Sequence, residues 1–185
     1  EYGKDVAEKV LSHHIANGGM SRFEKFKLYH KFFLNIHINK TQLNKLCSIY
    51  SQIVLNKVVA SPLVNGVLNF LENNFDKYDF YICTGTPEDE ILMILHKKKI
   101  YHFFKQVYGS PVKKNAHVKS ILDSNNYSLS NVIFIGDAVS DRDAAKANNI
   151  VFIGRYTEDK ELKKEKYLIN DFVNFESFLR KIKFI

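Results

Sequence analysis

Three short apolar runs, YDFYICT at residues 78–84, VIFI at 132–135 and VFI at 151–153, alternate with stretches of helical periodicity. Runs this short and this apolar suit strands buried on both faces, and a helix between two strands carries the chain back for parallel pairing. The alternation predicts an α/β fold, Rossmann-like, with a mostly parallel sheet covered by helices on both sides. Weaker strands are predicted at residues 105–108 and 167–169, and helices over 63–71, 86–95, 114–122, about 141–148 and 172–182. The start of the helix near residue 86 is marked by three agreeing signals: Thr86 as cap, Pro87 at the first helical position and Asp89 at the third.

Residues 1–60 follow a different pattern. Val6, Val10, Leu11 and His14 recur at helical spacing until Asn17-Gly18-Gly19. Ser21-Arg22-Phe23-Glu24 has the form of a capping box, the serine accepting from an amide and the glutamate reaching back. Phe26, Tyr29, Phe32 and Phe33 lie on the helix that follows. After a break at residues 39–42, a third helix carries Leu43, Leu46, Tyr50, Ile53 and Leu55. An all-helical leader ahead of an α/β pattern reads as a cap subdomain, residues 1–60, on a core of residues 61–185.

Open α/β sheets bind ligands beyond the carboxyl ends of their strands. Thr84 ends the first clear strand, with Gly85 behind it. Asp137 follows the strand at 132–135, and Asp141 stands at the start of the next helix. Lys114 opens a helix after the turn Gly109-Ser110-Pro111. A hydroxyl and backbone amides cradle phosphate without offering a competing base, and an ammonium at a helix start suits the same anion. Two neighbouring carboxylates repel unless a cation offsets them. Mg²⁺ takes one or two carboxylates, keeps waters and accepts phosphate oxygens, which matches the Asp137/Asp141 pair. The alternative for Asp141 is an acid that complements the helix dipole. Ser140-Asp141-Arg142-Asp143 also has the form of a capping box, with Asp143 structural. These groups describe phosphate binding and charge neutralisation, without a nucleophile beside them.

The net charge of +7 over 185 residues would suit an acidic partner. The lysines are scattered through helical patterns, as at 97–99 and 160–166, without a base-reading or base-stacking motif, so no nucleic-acid partner is expected. No apolar run is long enough to span a membrane, and no membrane association is expected. The two cysteines, Cys47 and Cys83, lack CxxC spacing and read as core thiols in a reducing, cytoplasmic setting. No oligomeric state follows from the pattern.

The order of these groups resembles that of the haloacid dehalogenase-like superfamily of hydrolases, in its phosphoglycolate-phosphatase-like form with a helical cap. YICTG at 81–85 is similar to the family's strand ending in Thr or Ser, GSPVKK at 109–114 to its lysine motif, and GDAVSD at 136–141 to its Gly-Asp-x-x-x-Asp motif. The resemblance implies a Mg²⁺-dependent phosphatase acting on a small phosphorylated metabolite. It implies that Thr84 binds the transferring phosphoryl group, that Lys114 neutralises it and holds the nucleophile, and that Asp137 and Asp141 anchor Mg²⁺. The family's nucleophile lies in an Asp-x-Asp segment on a strand ahead of the cap, and residues 1–60 hold no such strand. The chain opens without Met where the cap would follow that strand, so a truncated chain, inactive alone, is expected. The complete protein would form and hydrolyse an aspartyl phosphate. A phosphomutase of the same fold and a non-catalytic phosphate- or metal-binding module are the alternatives. Arg22 and Lys25, three apart on a cap helix, are candidates to face the substrate, with ordinary solvated helix surface as the competing reading. His13 and His14 read as helix residues beside a buried Val10 and Leu11.

Overall fold

The computed structural model describes residues 2–156 and 159–185. Its first part is helical throughout: α1 (Lys4–Ala16), α2 (Arg22–Leu28) continued by a π turn at Tyr29–Phe33, and α3 (Lys40–Ala60). Asn39 and Gln42 close a full capping box at the start of α3, since each side chain bonds the other's backbone amide. The Ser21 cap is only half of the expected box. Its hydroxyl accepts from the Phe23 amide at 3.3 Å, and Glu24 makes no return bond. Buried Tyr29 stacks on Phe33, and His13 meets both rings edge-on. The expected burial of Leu11 is not found. It is 59% exposed, and α1 has no buried residue, because the aromatic contacts of α1 run through His13 rather than through the Val10/Leu11 side.

Beyond Pro62 the chain alternates. The helices are α4 (Val67–Asn74), α5 (Glu88–Lys97), α6 (Lys114–Asn125), α7 (Val139–Ala147) and α8 (Phe175–Lys181). The strands are β1 (Phe80–Pro87), β2 (Phe104–Ser110), β3 (Ile133–Gly136), β4 (Val151–Arg155) and β5 (Leu168–Ile169). Every pairing among the described residues is parallel, so the fold is the α/β, Rossmann-like one, carrying a helical cap. Alternation along β4 sorts the two faces. Phe152 packs with Val118, Ala144, Ala145 and Leu162, whereas Ile153 packs with Phe70, Ile169, Phe175 and Leu179. Thus α6 and α7 cover one face, and α4 and α8 the other.

Two boundaries moved for physical reasons. Gly66 adopts a left-handed conformation, φ +77°, so α4 starts after it rather than at residue 63. Pro87 keeps an extended ψ of 143° and still pairs with Ser110, so it is the last residue of β1 and the cap of α5, not its first helical residue. Thr86 makes no capping bond, and Glu88 instead accepts from the Gly109 amide at 3.2 Å.

The strands form two groups, β1 with β2, and β3-β4-β5 in that order. Between β1 and β3 runs a slot of about 740 Å³, whose wall includes Ile82, Cys83, Phe134, Ile135 and Phe70. Each of the two facing edges leaves strand amides and carbonyls without a ladder partner. Phe70 ties the two sides together through ring contacts with Phe80 at 5.9 Å and Phe175 at 5.1 Å. No described helix is long and apolar enough to cross a membrane.

Candidate active site

A cavity of about 710 Å³ opens at the carboxyl ends of β1 and β3, where the cap meets the core. Thr84, Gly85, Lys114, Asp137 and Asp141 all line it, as do Arg22 and Lys25 from the cap. Local structure explains each placement. Thr84 lies near the end of β1, and its hydroxyl accepts from the Thr86 amide at 3.2 Å, which bends the tip of the strand. Lys114 is the first residue of α6, and Lys113 before it is exposed. Buried His117, one turn further, bonds the Gly109 carbonyl at 3.0 Å and so fixes the start of α6 against the end of β2.

One ion pair in the cavity crosses between the two strand groups. The Lys114 ammonium donates to Asp141 Oδ1 at 2.5 Å and to Ser140 Oγ at 3.2 Å. Both charged side chains are nearly buried, at 10% and 7% exposure, which makes this a charge-assisted bond in a low-dielectric setting. Asp141 Oδ2 also accepts from the Ala138 amide at 3.1 Å, so α7 begins two residues ahead of Asp141, at Val139. Burial pushes the Asp141 carboxyl above its ordinary value, while the Lys114 charge pulls it partly back. Gly136 is required here. A Cβ on it would lie 2.4 Å from the Asp141 side chain.

Asp137 is more open. Its carboxylate is 58% exposed and receives Arg155 at 3.3 Å. Arg155 was not anticipated from the sequence. It ends β4, and the pairing of Gly136 with Gly154 sets it beside the Asp137 turn. Asp143 lies away from the cavity on the exposed side of α7, paired with Arg142 at 2.8 Å. The two carboxylates that line the cavity suit a hard cation. Among the described residues no three His, Cys, Asp or Glu side chains converge, so the protein supplies too few ligands for a closed metal cage. Mg²⁺ fits such a partial set, because it retains waters and takes phosphate oxygens.

The cap contributes a loop that sequence reading passed over. Gly19, at φ +75°, approaches so closely that a Cβ there would stand 2.8 Å from the Lys114 ammonium and 2.5 Å from Ser140 Oγ. A Cβ on Gly85 would stand 2.5 Å from the Gly19 carbonyl. The Asn17-Gly18-Gly19 motif was visible as a helix end, and its closeness to Gly85 is a tertiary fact. Arg22 donates two bonds to Glu90 of α5, at 2.7 and 2.8 Å, and one to Ser51 of α3 at 2.5 Å. Its guanidinium also lies 4.8 Å from the Tyr50 ring. Arg22 therefore joins two cap helices to the core while lining the cavity.

A family model for haloacid dehalogenase-like hydrolases matches residues 4–155. Among solved structures, a hydrolase of the same superfamily from Entamoeba histolytica is 17% identical, with a TM-score of 0.74 over 97% of this chain and 89% of that one. A predicted phosphoglycolate phosphatase from Haemophilus somnus is 14% identical, with a TM-score of 0.70 over 94% and 87% of the two chains. The magnesium-bound hydrolase YfnB from Bacillus subtilis is 15% identical, with a TM-score of 0.68 over 98% and 83%. At these identities the likeness is one of fold. No curated protein matches the chain significantly.

Proposed function

This chain belongs to the haloacid dehalogenase-like hydrolases, and from that premise we propose that its cavity is the phosphate- and Mg²⁺-binding part of a phosphomonoester hydrolase. The observation that carries this reading is the convergence of Thr84, Lys114, Asp137 and Asp141 on one cavity at the strand tips. Thr84 and the Gly85 amide donate to the phosphoryl oxygens, and Lys114 neutralises their charge. Asp137 and Asp141 hold Mg²⁺, which supplies further charge stabilisation when bound. The cap closes the cavity against bulk water, with Gly19 at the contact.

The attacking carboxylate belongs to an aspartate on an additional strand, and the slot between β1 and β3 supports this reading. A strand there would pair with both edges and end beside Thr84 and Asp137. The aspartate would attack phosphorus with loss of the alcohol, and water would then open the aspartyl phosphate. Without that strand the residues bind and do not turn over. The substrate is a small phosphorylated metabolite, met in the cytoplasm.

Calorimetric titration of this chain with inorganic phosphate tests the reading. Binding should require Mg²⁺ and should vanish in Asp137→Asn, whereas Asp143→Asn should leave it unchanged. Phosphate binding that ignores both Mg²⁺ and Asp137 would sink the proposal.

A further inference from the structure

Arg22, Lys114 and Arg155 line the cavity, each held by a carboxylate, and the three pairs differ in build. Arg22 donates two bonds to Glu90, at 2.7 and 2.8 Å, and both side chains are buried. Lys114 meets Asp141 at 2.5 Å, again with both partners buried, and the second Asp141 oxygen is taken by the Ala138 amide. The Arg155–Asp137 pair is looser. Only Nη2 of the guanidinium donates, to Asp137 Oδ2 at 3.3 Å, and the side chains are 33% and 58% exposed. A buried pair with short bonds is costly to part. A single long bond between half-open partners is worth little and yields to a competing charge.

The loose pair sits at the carboxylate read above as a cation ligand. Gly136 pairs with Gly154 across β3 and β4, so the next residues, Asp137 and Arg155, stand side by side. The backbone at Arg155 is anchored, because it pairs with Ile169 of β5 and the Tyr156 amide donates to the Ile169 carbonyl at 2.7 Å. Exchange of the guanidinium therefore needs side-chain rotation alone. A divalent cation arriving at Asp137 meets a like charge already bonded to one carboxylate oxygen, and the two repel. A phosphate in the same cavity draws on that guanidinium, which is a strong ligand for phosphate oxygens.

We propose that Arg155 is the exchangeable counter-ion of Asp137: it holds the carboxylate against a lone cation and releases it when phosphate takes the guanidinium. Cation and phosphate then bind as a pair, and by linkage Arg155 strengthens the effect of each on the affinity of the other. This rests on the reading of Thr84, Lys114, Asp137 and Asp141 as the phosphate and Mg²⁺ site.

The test is calorimetric titration of Mg²⁺ into this chain, alone and with inorganic phosphate in excess. In wild type, phosphate should tighten Mg²⁺ binding. Arg155→Met should bind lone Mg²⁺ about three- to tenfold more tightly than wild type, since the competing charge is gone. The tightening by phosphate should shrink in that variant by a similar factor. Arg155→Lys keeps the charge and should follow wild type. Should Arg155→Met fail to fold by circular dichroism, Arg155→Gln is the neutral variant read in its place. The inference is overturned if the neutral variant binds lone Mg²⁺ no more tightly than wild type, if its gain from phosphate equals that of wild type, or if Arg155→Lys behaves as the neutral variant does. Lone Mg²⁺ binding that falls in the neutral variant would make Arg155 a support that orients Asp137, and also overturns the exchange. Absence of Mg²⁺ binding in wild type with phosphate present, or binding untouched by Asp137→Asn, overturns the site reading itself, and this inference with it.

Discussion

Cys83 sits on β1 where the cavity and the slot meet, and burial pushes its thiol up to about 12. At pH 8 such a thiol is roughly one part in ten thousand thiolate, against about a quarter for an ordinary free cysteine. Alkylation of Cys83 by iodoacetamide should therefore run about a thousandfold slower in the folded chain than in urea, followed by mass spectrometry of the labelled peptide. Similar rates in both would refute its burial. Asp79 makes the opposite case. Hydrogen bonds from Lys105 and Tyr127 hold its carboxyl below the usual range. The folded state then binds fewer protons at Asp79 than the unfolded chain, so this stabilisation exists above about pH 4 and fades as pH falls through the lower folded value. Urea melts of Asp79→Asn should show a flatter acid limb than wild type. The half-open setting keeps the effect small, and an unchanged limb removes Asp79 from the account. At this scale the residues that the structure gathers at one cavity, Thr84, Lys114, Asp137 and Asp141, each stand in a local motif of the sequence. Arg155 and Gly19 escaped because their importance comes from partners distant along the chain, Asp137 and Lys114, and His117 because its bond to the Gly109 carbonyl, closed across a turn, is announced by no local motif.

Elements were legible through their periods, and their ends were not. Val132 to Ile135 announced a strand by apolar continuity, and β3 duly spans Ile133–Gly136. Pro87 misled because its fixed φ suits a first helical residue as well as a strand end, and only pairing with Ser110 decides between them. The joint between cap and core gives two predictions. Arg22→Ala leaves Glu90 buried without a counter-charge, with only the Ser51 hydroxyl still donating to it, which should cost about 3–5 kcal/mol in urea unfolding. The double variant Arg22→Met with Glu90→Leu should recover most of that loss, and a double variant as unstable as the single would show that packing, not charge, is at stake. Gly85→Ala places a methyl against the Gly19 carbonyl, so the cap loop must retreat. Phosphate affinity should fall while thermal stability drops by only about 1–3 kcal/mol. Equal affinity in that variant would separate the loop from the site.

For the molecule as a whole, the sequence conveyed the α/β class and the helical cap, and the lack of an Asp-x-Asp strand implied a sheet without its central strand, but not which strands border the gap. Pairing between strands is set by edges that meet in space, and no local pattern records that β1 and β3 fail to touch. A free apolar peptide of about six residues with strong strand propensity should bind between them and raise the melting temperature. Saturation at a hundred times Kd corresponds to about 2.7 kcal/mol of added stability. A proline-interrupted version of the same peptide should do nothing, and an equal effect from both would remove the slot as the binding place. Parallel strands stand about 4.8 Å apart, so β1 and β3 with one strand between them would lie roughly 9.5 Å apart. One rail carries Thr84 and the other carries Asp137, and both line the cavity at the strand tips. A strand inserted between them would work as a gauge block. Its twist and thickness would set the span between Thr84 and Asp137, and the Lys114–Asp141 bond is the clasp that would stretch or close to match.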